Sequence, residues 1–161
     1  TVVPDAVVFG CTSAGALRGN AYDAELCKRI TDVAKCPSVS VIASARKATE
    51  RLKLKKIAVI TPYIEALNQR IKASLEDDGV EVVAIHGLGI DHNHSIGMVE
   101  PEKIHQFTME KVKGLAIDGV FLSCTNFRAM EVYKDLQEEL GVPVITSNQV
   151  ALESALEVLQ K

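Results

Sequence analysis

The chain has 161 residues, 47% of them apolar and 24% charged, with a net charge of −3, enough to bury one sizeable core or half of a larger two-lobed one. The slight acidity and the lack of a Lys/Arg stripe interleaved with aromatics speak against nucleic acid. Aromatics at 4% and no Trp speak against a pocket for a large planar cofactor. No apolar run approaches a membrane span and the first residues carry no signal-peptide pattern, so a cytoplasmic location with no membrane partner is expected.

Six short, β-branched runs read as strands buried on both faces. They are Ala6–Gly10, Val39–Ala43, Lys56–Thr61, Glu81–His86, Gly119–Ser123 and Pro143–Thr146. Between them the sequence predicts helices over Tyr22–Ala34, Ala45–Leu52, Ile64–Asp78, Pro101–Leu115, Arg128–Leu140 and Gln149–Leu159. In the third, Leu67, Ile71 and Leu75 form an apolar stripe opposite Glu65, Asn68, Gln69, Lys72 and Glu76. Gly79 and Gly141 fall just past helix ends, and Pro101 starts a helix where no amide donor is needed. Strand–helix alternation implies an α/β fold with parallel sheets, whose ligands collect at the carboxyl ends of the strands.

Two segments look like copies. Asp5-Ala6-Val7-Val8-Phe9-Gly10-Cys11-Thr12-Ser13 and Asp118-Gly119-Val120-Phe121-Leu122-Ser123-Cys124-Thr125-Asn126 share Asp, Val, Cys and Thr at the same offsets. Each continues into a helix, a proline (Pro37 or Pro143), another Val/Ile strand and another helix. The unit is therefore used twice, about 110 residues apart. The first copy owns two strands and the second four. Two equivalent lobes would need about two further strands, with their helices, before Thr1. The expected division is a partial first lobe over 1–54, a second lobe over 55–148, and a helix over 149–161 packing back on the first lobe.

The four cysteines, Cys11, Cys27, Cys36 and Cys124, show no CxxC spacing and read as free thiols in a reducing compartment. Cys11 and Cys124 lie at the carboxyl ends of equivalent strands and are the candidate catalytic groups. A helix amino terminus would lower a thiol's pKa and favour the reactive thiolate. Cys27 and Cys36 read as packing residues. Thr12, Ser13, Thr125 and Asn126 supply hydroxyls and amides that can cradle a carboxylate. Tyr63 at a strand end and Asn93 in the long Gly87–Asn93 stretch can donate to the same ligand. The glycines of Gly10–Gly19 fit neither GxGxxG nor a Walker loop, which disfavours a nucleotide. His92 and His94 lack a third ligand, so no metal is expected; His86 and His105 read as ordinary residues.

At these residues the chain resembles the aspartate/glutamate racemase superfamily, on the branch of maleate cis–trans isomerase and arylmalonate decarboxylase. The matching stretches are Gly10-Cys11-Thr12-Ser13, Thr61-Pro62-Tyr63, Gly89-Ile90-Asp91-His92-Asn93 through Ile96-Gly97, Ser123-Cys124-Thr125-Asn126 and Val144-Ile145-Thr146-Ser147-Asn148-Gln149. The resemblance implies two similar α/β lobes with a cleft between them and no cofactor. It also implies Cys11 as nucleophile toward a small dicarboxylate, Cys124 as its proton-handling partner, and Tyr63, Asn93, Thr125 and Asn126 as carboxylate binders. The presence of both cysteines argues against decarboxylation, which in this branch uses only the second.

The leading expectation is isomerisation of maleate to fumarate with a small carboxylic acid as the only partner; a homo-oligomer is compatible with the sequence. The alternatives are racemisation of an amino acid or related α-chiral acid by two thiols, with Arg18 and Arg128 as candidate carboxylate clamps, and a binding module without turnover.

Overall fold

In the computed structural model, which describes residues 3–77 and 79–160, there are two parallel sheets, and the main apolar core is built on the larger one. The smaller pairs β1 (Val7–Phe9) with β2 (Ser38–Ser40). The larger has the order β4-β3-β5-β6, with β3 at Lys56–Thr61, β4 at Glu81–Gly87, β5 at Gly119–Leu122 and β6 at Val144–Thr146. All pairs are parallel, as crossover helices require.

The helices are α1 (Thr12–Ala16), α2 (Asn20–Ala34), α3 (Val41–Arg51), α4 (Glu65–Glu76), α5 (Asn93–Gly97), α6 (Pro101–Val112), α7 (Tyr133–Leu140) and α8 (Ser147–Leu159). β3 and β5 form the centre, and Ile57 through Ile60 and Val120 through Leu122 are fully buried there. That explains why these strands read as continuous apolar runs rather than alternating ones. Helix α8 packs on α3 and also reaches β1 and β2. Arg51 of α3 pairs with Glu153 and Glu157 of α8 across this contact.

Several boundaries differ from the sequence expectation, each for a local reason. The predicted strand Val39–Ala43 ends at Ser40, because Ser40 caps a helix. Its Oγ accepts from the Ala43 amide at 3.2 Å, and the apolar Val41, Ile42 and Ala43 become the first turn of α3. Thr146 does the same for α8, accepting from the Gln149 amide at 3.1 Å, so that helix starts at Ser147 and not Gln149. The predicted helix Arg128–Leu140 is interrupted at Val132 (φ −126°), leaving a 3-10 turn over Arg128–Glu131 before α7. The helix begun by Pro101 stops at Val112, just before Gly114 at φ +81°. Two short helices, α1 and α5, stand where the sequence suggested loops. The predicted end of the Ile64 helix, Asp78, lies outside the described residues, as do Thr1, Val2 and Lys161 at the limits of the expected lobes.

Phe121 sits fully buried at the centre of β5, flanked by β3 and β6. Phe121→Ala is expected to lower unfolding stability by about 3–5 kcal/mol, read as a reduced denaturant midpoint in urea.

Candidate active site

The carboxyl end of β1 and that of β5 meet each other. Cys11 follows β1 and is the amino-terminal cap of α1, with extended backbone (φ −134°, ψ 99°). Cys124 follows β5, but no α-helix follows it; residues 124–127 form a turn leading to the 3-10 segment. The two copies of the motif therefore fold differently.

Two contacts clamp the cysteine loops together. The Thr125 hydroxyl donates to the Gly10 carbonyl at 2.8 Å. The Ser147 hydroxyl, at the start of α8, accepts from the Cys124 amide at 3.0 Å and shares a 3.0 Å hydrogen bond with the Thr12 hydroxyl. Ser147 is fully buried, so this bridge is not exchanged for water. It is the link between the two candidate loops that sequence reasoning passed over. The signal was there in the Thr146-Ser147-Asn148 stretch at a strand's carboxyl end, but nothing in sequence spacing says which loop such a hydroxyl will reach.

Around the clamp lies a cleft of about 610 Å³, lined by all eight sequence-predicted site residues together with Gly10, Ile64, Leu67, Ile90, Asp91 and Ile96. Arg18, Arg128, His92 and His94 are not among its lining. Arg128 is instead paired with Glu100 and Glu131, and Arg18 lies over the Tyr22 ring at 4.8 Å. Among the described residues no group of three or more His, Cys, Asp or Glu side chains is placed to hold a metal ion. No described helix is long and apolar enough to cross a membrane.

The two thiols have unlike surroundings. Cys124 is 5% exposed, while Cys11 is only half-buried. Burial pushes the Cys124 thiol above its ordinary value, against hydrogen bonds from Tyr63 and from the Asn126 and Phe127 amides that favour the thiolate; the charge of Cys11 raises it further. A lowered pKa was expected for both thiols, and for Cys124 desolvation outweighs the local donors. The Asn126 amide lies 3.3 Å from Cys124 Sγ. Cys124 also has φ +153°, a region sparsely occupied by residues with a side chain.

Tyr63 links the thiols. Its buried hydroxyl interacts with Cys124, with Ser13 and electrostatically with Cys11, and burial first, then Cys124, pushes its pKa well up. Its backbone is held by the Thr61 hydroxyl, which accepts from the Tyr63 amide at 3.0 Å and donates to Asn68 at 2.6 Å. Gly87 passes so close that a Cβ there would lie 2.1 Å from the Tyr63 carbonyl oxygen. Cys11 Sγ lies 3.5 Å from the Ser13 hydroxyl.

The other predicted binders are largely engaged within the protein. The Thr12 and Thr125 hydroxyls hold the clamp. Asn126 Nδ2 donates to the Asn93 backbone carbonyl at 2.6 Å and to Asn93 Oδ1 at 3.2 Å, tying the second cysteine loop to α5.

Behind α1 lies a buried carboxyl group. Asp23 of α2 is 1% exposed, receives the Ser40 hydroxyl, and is held more protonated than usual chiefly by burial. Its Oδ1 would be 2.6 Å from a Cβ at Gly15, whose amide donates to the Cys11 carbonyl at 3.2 Å. Gly15 thus lets α1 rest directly on Asp23.

An α/β protein with two unlike thiols facing one cleft, and a tyrosine hydroxyl between them, is the class this geometry defines. Residues 3–160 match the arylmalonate decarboxylase family, and the chain belongs to that family. A maleate isomerase from Alcaligenes faecalis is 28% identical over 150 residues, covering 88% of this chain and 58% of the relative. The chain thus spans less than two thirds of that relative's length. The maleate isomerase of Pseudomonas putida S16, as a cysteine-to-alanine variant with maleate, superposes with a TM-score of 0.92 at 18% identity, over 97% of this chain and 64% of that one. A cysteine-to-serine variant of the Nocardia farcinica maleate cis-trans isomerase, described with a covalently bound succinylcysteine intermediate, superposes with a TM-score of 0.89 at 17% identity, over 98% and 66%.

Two outcomes test the geometry. Ser147→Ala leaves the Cys124 amide and the Thr12 hydroxyl without their shared partner, and is expected to cost about 1–3 kcal/mol; amide exchange at Cys124 should accelerate more than in the core of β3. The pH dependence follows from the raised thiol. A group whose pKa is higher folded than unfolded stabilises the fold below the unfolded value and loses that contribution as pH rises through the folded one. Stability should therefore fall as pH climbs past the ordinary thiol value of 9.0, and Cys124→Ser should flatten the early part of that decline in pH-dependent urea unfolding.

Proposed function

We propose that this chain carries the two-cysteine site of a cofactor-independent cis–trans isomerase of a small dicarboxylate, converting maleate to fumarate. The observation that carries this reading is the unlike pair of thiols on one cleft: one half-buried, the other buried with its proton held by desolvation. Cys11, as thiolate, adds through Sγ to one alkene carbon. The alkene electron pair moves onto the neighbouring carbon and its carboxylate, giving an enediolate. Hydroxyl donors such as Ser13 and Tyr63 stabilise that charge. Cys124, kept protonated, gives its proton to the carbanionic carbon and takes it back before elimination. With the double bond gone, the central bond rotates. Expulsion of the Cys11 thiolate then restores the alkene in the trans form, with no net change in protons or electrons.

The resemblance to maleate isomerases supports this assignment of roles. A racemase would need two thiols that exchange the parts of acid and base as the substrate changes hand. The unequal burial of Cys11 and Cys124 favours a fixed division of labour.

The test is direct. Incubated with maleate, the protein should produce fumarate, while optical rotation of D- or L-aspartate and glutamate stays constant. Cys11→Ser and Cys124→Ser should each lower kcat/KM by about a thousandfold or more. Mass spectrometry after trapping should place the succinyl adduct on Cys11. Racemisation without fumarate formation would overturn the reading, as would an adduct on Cys27 or Cys36.

A further inference from the structure

Resting on the isomerase reading, we propose that Asp23 is a positioning residue for the attacking thiol. It seats α1, and through α1 it fixes where Cys11 stands in the cleft.

Cys11 opens a helix that cannot hold itself. α1 has five residues and no side-chain cap on its first turn, and so short a helix is marginal on its own. Its geometry must come from what it rests on. At Thr12 the support is the Ser147 hydroxyl, 3.0 Å away. One turn on, at Gly15, the support is Asp23. A Cβ at Gly15 would lie 2.6 Å from Asp23 Oδ1 and 2.8 Å from Ile42 Cγ2, so the helix backbone lies directly on the carboxyl group and on Ile42. Ser13, whose hydroxyl lies 3.5 Å from Cys11 Sγ, is carried between these two supports.

Asp23 is itself a fixed point. It is 1% exposed, and its Oδ2 receives the Ser40 hydroxyl, whose oxygen also caps α3. Its amide donates to the Gly19 carbonyl at 3.2 Å. One turn earlier on the same helix, Asn20 Nδ2 donates to the Ser74 carbonyl of α4 at 2.9 Å, and Asn20 Oδ1 accepts from the Ser74 hydroxyl. α2 is thus tied to β2, α3 and α4 around the position of Asp23. The remaining oxygen, Oδ1, is buried with no hydrogen-bond partner among the described residues. What that oxygen supplies is its contact with Gly15. Asp23 is not among the described residues lining the cleft, so it acts through α1 and not on the ligand. Burial, against the Ser40 hydrogen bond and the charge of Arg46, holds the carboxyl more protonated than usual, so an uncharged amide of the same shape can stand in for it.

The test compares Asp23→Asn, Asp23→Ala and Gly15→Ala in steady-state maleate turnover and in amide exchange. Asp23→Asn keeps the shape and the acceptor for Ser40, and should stay within about threefold of the wild type in kcat. Asp23→Ala removes the seat, and Gly15→Ala lifts the helix off it. Each should lower kcat roughly ten- to hundredfold while KM changes by less than about threefold. Combined, the two should be non-additive, because both break one contact. Exchange at the Gly15 and Leu17 amides, which donate to the Cys11 and Ser13 carbonyls, should accelerate more than exchange in β3. If Asp23→Ala does not fold, Gly15→Ala and Asp23→Asn carry the same comparison. A fall in stability with kcat intact, unchanged exchange at Gly15 and Leu17, or a loss in Asp23→Asn as large as in Asp23→Ala overturns the inference. A wild type that turns over no maleate, with the exchange pattern as expected, overturns the isomerase reading and leaves Asp23 standing as the seat of the Cys11 helix.

Discussion

The site depends on one buried hydroxyl. Ser147 receives the Cys124 amide and bonds the Thr12 hydroxyl, so the start of α8 fixes both cysteine loops at once. A backbone amide at the end of a central strand is costly to leave unpaired away from water. The bridge satisfies it and sets the spacing of the two loops in the same contact. Thr125 and Gly10 add a second bond across the same seam. Because Thr146 caps α8, the register of Ser147 is fixed by its own strand–helix junction. The cleft is therefore held at the ends of three strands, β1, β5 and β6, by short hydroxyl side chains.

That arrangement explains what the sequence could and could not reveal. The central strands were legible because β3 and β5 are buried on both faces and can only be apolar. The grouping of the eight candidate residues on one cleft was legible because strand ends in a parallel sheet converge on one region. The start of α3 was not: Val41, Ile42 and Ala43 suit a buried strand or a buried helix turn equally well. The decision rests on Ser40, whose hydroxyl caps the helix amide and also meets Asp23. Nor were the partners of Thr12, Thr125 and Asn126 legible. Their residue types announce hydrogen bonding, but only the fold decides whether the partner is a ligand or another loop.

The repeated motif carries the deeper lesson. Identical residues at Cys11-Thr12 and Cys124-Thr125 suggested two equivalent thiols. Their continuations differ, a helix after the first and a tight turn after the second. The turn buries Cys124 at φ +153° and aims local amides at its sulfur, while the helix leaves Cys11 half-exposed at its cap. A sequence repeat thus becomes a chemical asymmetry through backbone geometry alone.

Tyr63 makes that asymmetry usable. Its hydroxyl is held among Cys124, Ser13 and Cys11 by a backbone fixed through Thr61, Asn68 and the close pass of Gly87. Burial keeps both the phenol and the Cys124 thiol protonated at rest, so that side of the cleft offers protons and hydrogen-bond donors before the reaction begins. Negative charge developing on a bound carboxylate would meet donors that need not reorganise, which is the condition under which electrostatic stabilisation is most effective. A site built this way suits a reaction in which charge appears and disappears on the ligand while the second thiol lends its proton and recovers it. The addition and elimination of a single nucleophile meets that description better than proton exchange between two equal bases.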